Sequence, residues 1–122
     1  MLNRYRHLTS YEVSNLLYHL AGANRWDLLP LVSLDLEYIA AVFAIATHIN
    51  AIAEYSRLLA ILKPHISDQT FGAIQATRDF IRTEYDYLVE FPAGVLQEAE
   101  NCPDDSPVHH AAVSLLLGAW QE

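Results

Sequence analysis

Histidine is the residue type in this chain best suited to bind a metal, and its spacing is unfavourable for that chemistry. Six histidines lie at positions 7, 19, 48, 65, 109 and 110. No His-Glu-x-x-His motif is present, and no two histidines are four residues apart, the spacing that places two ligands on one helical face. Adjacent His109 and His110 would point about 100° apart on a helix. We predict no metal site and interpret these side chains as solvated or helix-capping.

Acid–base and nucleophilic groups are also poorly arranged. Glu84 with Asp86, and Asp104 with Asp105, are too close in sequence to face each other on a helix. The single cysteine, Cys102, excludes an intrachain disulfide and is interpreted as incidental. Neither a glycine-rich phosphate loop nor a strand–turn–helix nucleophile elbow is present. We predict that the chain is not an enzyme and binds no cofactor; an enzyme would require carboxylates or histidines to converge in a pocket.

Composition predicts one helical domain over residues 1–122, because 52% hydrophobic and 18% charged residues suit a buried core. The formal charge of −8 would repel a phosphate backbone. The most apolar run, residues 39–46, is far shorter than the ~20 residues that span a bilayer, and the first nine residues lack the apolar centre of a signal peptide. We expect a cytoplasmic protein without nucleic-acid or membrane partners.

Apolar residues recur every three or four positions in the first half of the chain, which indicates helices. Thr9 and Glu12 form a capping-box pattern before a helix predicted over residues 10–21. Pro30 falls within a short helical segment, where we expect a kink or a new start. Ser33 is predicted to cap the third helix, which is apolar on all sides.

The second half continues the helical pattern. Thr47 or Asn50 is predicted to cap the fourth helix, and residues 67–89 form the longest helix. Ser106 is a favourable cap, with Pro107 in the preferred first position of the last helix. No segment alternates apolar and polar residues long enough to predict a strand. The predicted fold is all-α, a compact bundle of about six or seven helices joined as helical hairpins.

Aromatic residues supply the strongest candidates for contact with another molecule. Tyr85, Tyr87 and Phe91 lie close together in sequence, and Tyr is enriched in interface hot spots. The same side chains would also serve as bundle core with hydroxyl groups at the rim. The sequence leaves both interpretations open.

Two stretches together resemble a helical region of a known family. The first reads YHLAGANRWDLL over residues 18–29, followed by LDLEYI over residues 34–39; the second contains FP, LQEAEN and PDDSPV within residues 91–108. These resemble segments of STAND-type, NACHT-like signalling NTPases between the ATPase core and the WD40 repeats. The resemblance implies a helical spacer; no Walker motif or WD40 repeat is present, so ATPase activity is not implied. The matching residues, which the resemblance assigns to packing and capping, are Trp26, Pro92, Gln97, Asn101, Pro103, Ser106 and Pro107.

The function predicted from these observations is a non-catalytic helical scaffold or protein-interaction module. Its expected partner is a protein, and exposed apolar surface would also favour self-association. The alternative is a small acidic immunity or inhibitor protein that binds and neutralises a basic toxin or effector, since complementary charge accelerates encounter.

Overall fold

Seven α-helices account for most of the described part of the chain, which confirms the all-α prediction. The computed structural model describes residues 4–45 and 51–121, with side chains described as far as residue 117. Two 3-10 turns, Lys63–His65 and Pro92–Gly94, precede the fifth and sixth helices. The helices are α1 (Ser10–Gly22), α2 (Leu29–Ser33), α3 (Leu36–Ile45), α4 (Ala51–Leu62), α5 (Asp68–Glu90), α6 (Val95–Glu100) and α7 (Pro107–Gln121).

The first helix begins as its sequence predicts. The Glu12 amide donates to Thr9 Oγ1 at 3.1 Å, and the Thr9 amide donates to Glu12 Oε1 at 2.9 Å. These two hydrogen bonds complete the predicted capping box and lower the pKa of Glu12, because the Thr9 backbone amide stabilises its carboxylate. After α1, Asn24 adopts a φ of 57°, in the left-handed region that asparagine tolerates better than most residues.

The start of α3 differs from the prediction. Pro30 lies in the first turn of α2, where a missing amide costs little, so the predicted new start is the one observed. Ser33 does not cap α3: it is buried as the last residue of α2, and its hydroxyl donates to the Pro30 carbonyl at 3.5 Å. Asp35 takes that role, accepting the Glu37 amide at 3.0 Å. The cap shifted because α2 extends through Ser33.

The later helix ends agree with prediction where they are described. Ser67 Oγ accepts the Thr70 amide at 3.1 Å, and α5 follows with 23 residues, close to the predicted 67–89. Ser106 Oγ accepts the amide of Val108 at 3.2 Å, one residue after Pro107 begins α7. The predicted caps at positions 47 and 50 lie outside the described residues.

The core is built around α3, of whose ten residues six are buried. This helix packs against α1, α2, α5, α6 and the Pro92–Gly94 turn. Tyr38 of α3 and Tyr55 of α4 are buried with their hydroxyl groups hydrogen-bonded: Tyr38 donates to the Val13 carbonyl at 3.0 Å and Tyr55 to the Ser33 carbonyl at 2.7 Å. The first bond joins α3 to α1 and the second joins α4 to α2, so directed bonds as well as apolar packing hold these four helices together.

Candidate interaction surface

A groove of about 300 Å³ opens between α3 on one side and the Pro92–Gly94 turn, α6 and α7 on the other. We call it the α3–α6 groove. Ala40 and Ala44 lie one helical turn apart on α3 and leave space above the helix. Its main apolar lining residues are Leu36, Ala40, Ala44, Pro92, Leu96 and Leu115. The surface offers apolar area in a concave form.

One end of the α3–α6 groove is ionic. Glu37, the single ionisable lining residue, accepts the Arg4 backbone amide at 3.2 Å and Arg4 Nε at 3.1 Å. Arg4 Nη2 also lies 3.1 Å from Asp35, whose side chain is only 7% exposed. These contacts attach the segment before α1 to the start of α3, and they hold both carboxylates in fixed positions.

Tyr5 completes this ionic cluster. Its hydroxyl donates to Asp35 Oδ2 at 2.8 Å, and its ring packs edge-on against Tyr38 with 5.4 Å between centroids. Burial and the hydrogen bond to the Asp35 carboxylate raise the pKa of Tyr5. The phenol therefore keeps its proton and acts as a hydrogen-bond donor.

The three residues predicted as a partner face are divided by the structure. The Tyr85 ring is half-buried and packs edge-on against Phe43, with 5.5 Å between centroids. Tyr87 and Phe91 lie together at 5.3 Å and are 37% and 56% exposed. Phe91 directly precedes Pro92, so this aromatic pair lies next to the α3–α6 groove along the chain. That the pair binds a partner stays a prediction.

Gly94 leaves room for the Tyr87 ring, which lies close to its backbone. A Cβ atom at Gly94 would lie 2.6 Å from a ring carbon of Tyr87 and 2.7 Å from its hydroxyl oxygen. The backbone at Gly94 is ordinary, with φ near −78°, so any residue could adopt it. Glycine is needed here for the close approach of the ring.

Most residues matched by the family resemblance lie in turns or at helix ends, whereas Gln97 lies inside α6. Trp26 stacks on His65 with 4.0 Å between centroids and 4° between planes, which joins the α1–α2 connection to the turn after α4. Within the α6–α7 connection, the Asn101 amide donates to the Gln97 carbonyl at 3.1 Å. In the same connection, the Ser106 amide donates to the Pro103 carbonyl at 2.8 Å.

The adjacent histidines stabilise the same connection. His109 Nδ1 lies 2.9 Å from the Glu100 carbonyl oxygen, and His110 Nε2 lies 2.7 Å from the Asp104 carbonyl oxygen. Because a carbonyl only accepts, each of these ring nitrogens carries a hydrogen. The Glu100 carbonyl belongs to the last residue of α6, so His109 caps the end of that helix.

A carboxyl pair that the sequence did not predict lies between α5 and α6. Burial, together with the charge and hydrogen bonding of Glu98, raises the pKa of Glu84. The Cys102 thiol donates to the Glu98 carbonyl at 3.6 Å, and burial followed by the charges of Glu84 and Glu98 raises the pKa of this thiol. A thiol with a raised pKa is a weak nucleophile at neutral pH. Sequence spacing excluded Asp86 as a facing partner of Glu84, and only tertiary packing reveals Glu98.

Within residues 4–45 and 51–121, no three His, Cys, Asp or Glu side chains are grouped as metal ligands would be. None of the helices described above combines the length and apolarity that crossing a membrane requires. No protein-family model matches the chain, and neither curated proteins nor solved structures give a match.

Proposed function

We propose that this chain is a non-catalytic helical scaffold that binds another protein through the α3–α6 groove. The observation that carries the proposal is the groove itself, an apolar concavity of about 300 Å³ with exposed Phe91 next to it in the chain. Concave apolar surface with an aromatic side chain at its edge resembles the well-packed centre of known interfaces. The binding energy would come from burying this surface.

The ionisable groups at the groove and in the α6–α7 connection support a binding role over a chemical one. Glu37 is held by Arg4 through two hydrogen bonds. His109 and His110 direct ring nitrogens at backbone carbonyls in the α6–α7 connection. These side chains fix the local structure, which leaves shape and apolar area as what the groove presents to a partner.

The more specific form of the proposal is a spacer like that of STAND-type signalling NTPases. It is supported by the turn and capping positions of Trp26, Asn101, Pro103 and Ser106. This form predicts that the natural reading frame containing these residues also encodes a P-loop ATPase. Sequencing the full transcript tests it, and a reading frame without an ATPase would contradict it.

A second candidate function is inhibition of a basic toxin or effector. The formal charge of −8 supports it, because complementary fields accelerate association. This function predicts a salt-sensitive complex with a cationic effector whose activity is lost on binding. Inhibition assays with such effectors test it, and unaltered effector activity at saturating protein would contradict it.

Site-specific photocrosslinking tests the main proposal. A photoreactive phenylalanine analogue would replace Ala93, which is exposed and lines the groove, or Ala60, which is exposed on α4 away from it. We expect a covalent adduct of discrete mass with position 93 in cells that naturally make the protein, and none with position 60. Adducts of equal yield at both positions, or none at position 93, would contradict the proposal.

A further inference from the structure

The charge of the chain is distributed unevenly. All seven Lys and Arg residues lie within residues 1–82, together with seven of the 15 carboxylates. That part therefore has a formal charge of zero. Residues 83–122 contain the other eight carboxylates and no Lys or Arg, so the whole formal charge of −8 belongs to the C-terminal third of the chain.

The α3–α6 groove is built largely from this acidic third. The Pro92–Gly94 turn, α6 and α7 form one side of it. Glu100 lies one helical turn beyond Leu96 on the same side of α6, and Glu90 lies two residues before Pro92; both side chains are exposed. On the opposite side, Arg4 is the cation that offsets Glu37 and Asp35.

The shape of the groove suits a helix. Ala40 and Ala44 project little from α3, so a partner backbone can approach closely at two positions one turn apart. Helices that dock into apolar grooves insert side chains spaced at i, i+3 or i+4, and i+7. An opening of about 300 Å³ accommodates a few such aliphatic side chains.

We propose that the α3–α6 groove binds a basic amphipathic helix of a partner protein. Its apolar stripe fills the groove, and its Lys or Arg residues pair with Glu90 and Glu100. This inference rests on the proposed function and adds the chemistry of the partner. A second copy of this chain is a poorer occupant, because it would bring the acidic third of one molecule against that of another and like charges would repel.

Two designed peptides of about 18 residues, or five helical turns, test the charge preference. Both have the same leucine stripe. The first has lysine at all the remaining positions, and the second has glutamate there. Fluorescence anisotropy of the labelled peptides measures the Kd for the full chain. We expect the Leu/Lys peptide to bind at least about tenfold tighter than the Leu/Glu peptide, with the difference shrinking between about 50 mM and about 300 mM salt.

Variants locate the binding site. Ala93→Trp fills the groove and is expected to raise the Kd of the Leu/Lys peptide about tenfold or more, whereas Ala60→Trp, at an exposed position of α4, leaves it unchanged. The double variant Glu90→Gln/Glu100→Gln is expected to weaken binding about threefold to tenfold, and Asp68→Asn, an exposed carboxylate of the neutral part, is the matched control. Circular dichroism checks that each variant is folded.

The outcomes separate this inference from the proposed function. If both peptides bind equally and Ala93→Trp weakens both, the basic helix is wrong and the groove remains a docking site. If the Leu/Lys peptide binds but Ala93→Trp does not weaken it, the peptide binds elsewhere and the inference is overturned. The photocrosslinking experiment at position 93 decides the proposed function in either case.

Discussion

The two ends of α3 contrast in how they use their side chains. At its start, Asp35 and Glu37 are nearly buried and hydrogen-bonded to Arg4, Tyr5 and backbone amides. Farther along, the small apolar side chains of Ala40 and Ala44 line the α3–α6 groove. Directed polar bonds therefore hold the start of α3, while the later part of the helix lines the α3–α6 groove.

The largest effect is expected from removing the polar bonds at the start of α3. Asp35→Ala deletes the cap of α3 and leaves the Tyr5 hydroxyl and Arg4 without their shared carboxylate, so the free energy of unfolding should fall by about 2–3 kcal/mol. Urea unfolding measures it. Asp105→Ala, in an exposed turn, is the control and should stay within about 0.5 kcal/mol of the native chain. Equal losses in the two variants would show that the ionic cluster does not anchor α3.

A smaller loss of stability is expected from removing the hydrogen bond between α4 and the end of α2. Tyr55→Phe keeps the ring and removes the 2.7 Å hydrogen bond to the buried Ser33 carbonyl, which should lower the free energy of unfolding by about 1–2 kcal/mol. Tyr18→Phe removes a hydroxyl from a side chain that is 62% exposed and should change nothing measurable. A neutral Tyr55→Phe would mean that water replaces the lost donor.

A substitution at Gly94, in the turn beside the groove, should displace the Tyr87 ring and lower the free energy of unfolding only slightly. Gly94→Ala places a methyl group against the Tyr87 ring, and the ring can swing outward into solvent. We expect a loss of about 0.5 kcal/mol or less, together with altered ring chemical shifts for Phe91, the aromatic neighbour of Tyr87. In a Tyr87→Ala background the effect of Gly94→Ala should disappear. A loss of stability that persists in the Tyr87→Ala background would show that the backbone at Gly94, and not the Tyr87 ring, causes it.

The smallest effect concerns the Glu84–Glu98 pair and depends on pH. Because the pKa of Glu84 is raised in the folded chain, the native state binds its proton more tightly, and the free energy of unfolding falls as pH rises above the ordinary glutamate range. Glu84→Gln should therefore stabilise the protein near neutral pH by about 0.5 kcal/mol or less, after solvent screening. The gain should vanish below about pH 4, where glutamate is protonated in both states.

The matched variant Glu98→Gln removes the negative charge of Glu98, which contributes to the raised pKa of Glu84. It leaves the burial of Glu84, the larger cause of the raised pKa, so it should give a smaller gain near neutral pH, and the double variant should add little to Glu84→Gln. Thermal unfolding across a pH series measures all three. A Glu84→Gln chain less stable than the native one near neutral pH would show that the two carboxyl groups do not repel each other.

Features governed by neighbouring residues could be predicted from the sequence. The capping box at Thr9 and the Ser106–Pro107 start are of this kind, and so is the all-α class, because each depends on spacing within about one turn. The cap of α3 was misplaced since Ser33 and Asp35 are both suitable, and only the packing of α2 decides between them.

The candidate surface was harder to predict for a physical reason. The α3–α6 groove joins residues more than 50 positions apart, such as Ala40 and Leu96, and no local pattern encodes that separation. The exposed pair of Tyr87 and Phe91 was named from its residue types, whereas the contact of Tyr85 with Phe43 required the fold.

Arg82, the last lysine or arginine of the chain, lies within α5. A protease that cleaves after lysine or arginine can therefore separate α6 and α7 from the rest only by cutting inside a 23-residue helix. Tryptic digestion would leave residues 83–122 as one fragment, so footprinting with trypsin would miss any protection along the groove. An enzyme specific for glutamate, cutting at Glu90, Glu98 and Glu100, would report it.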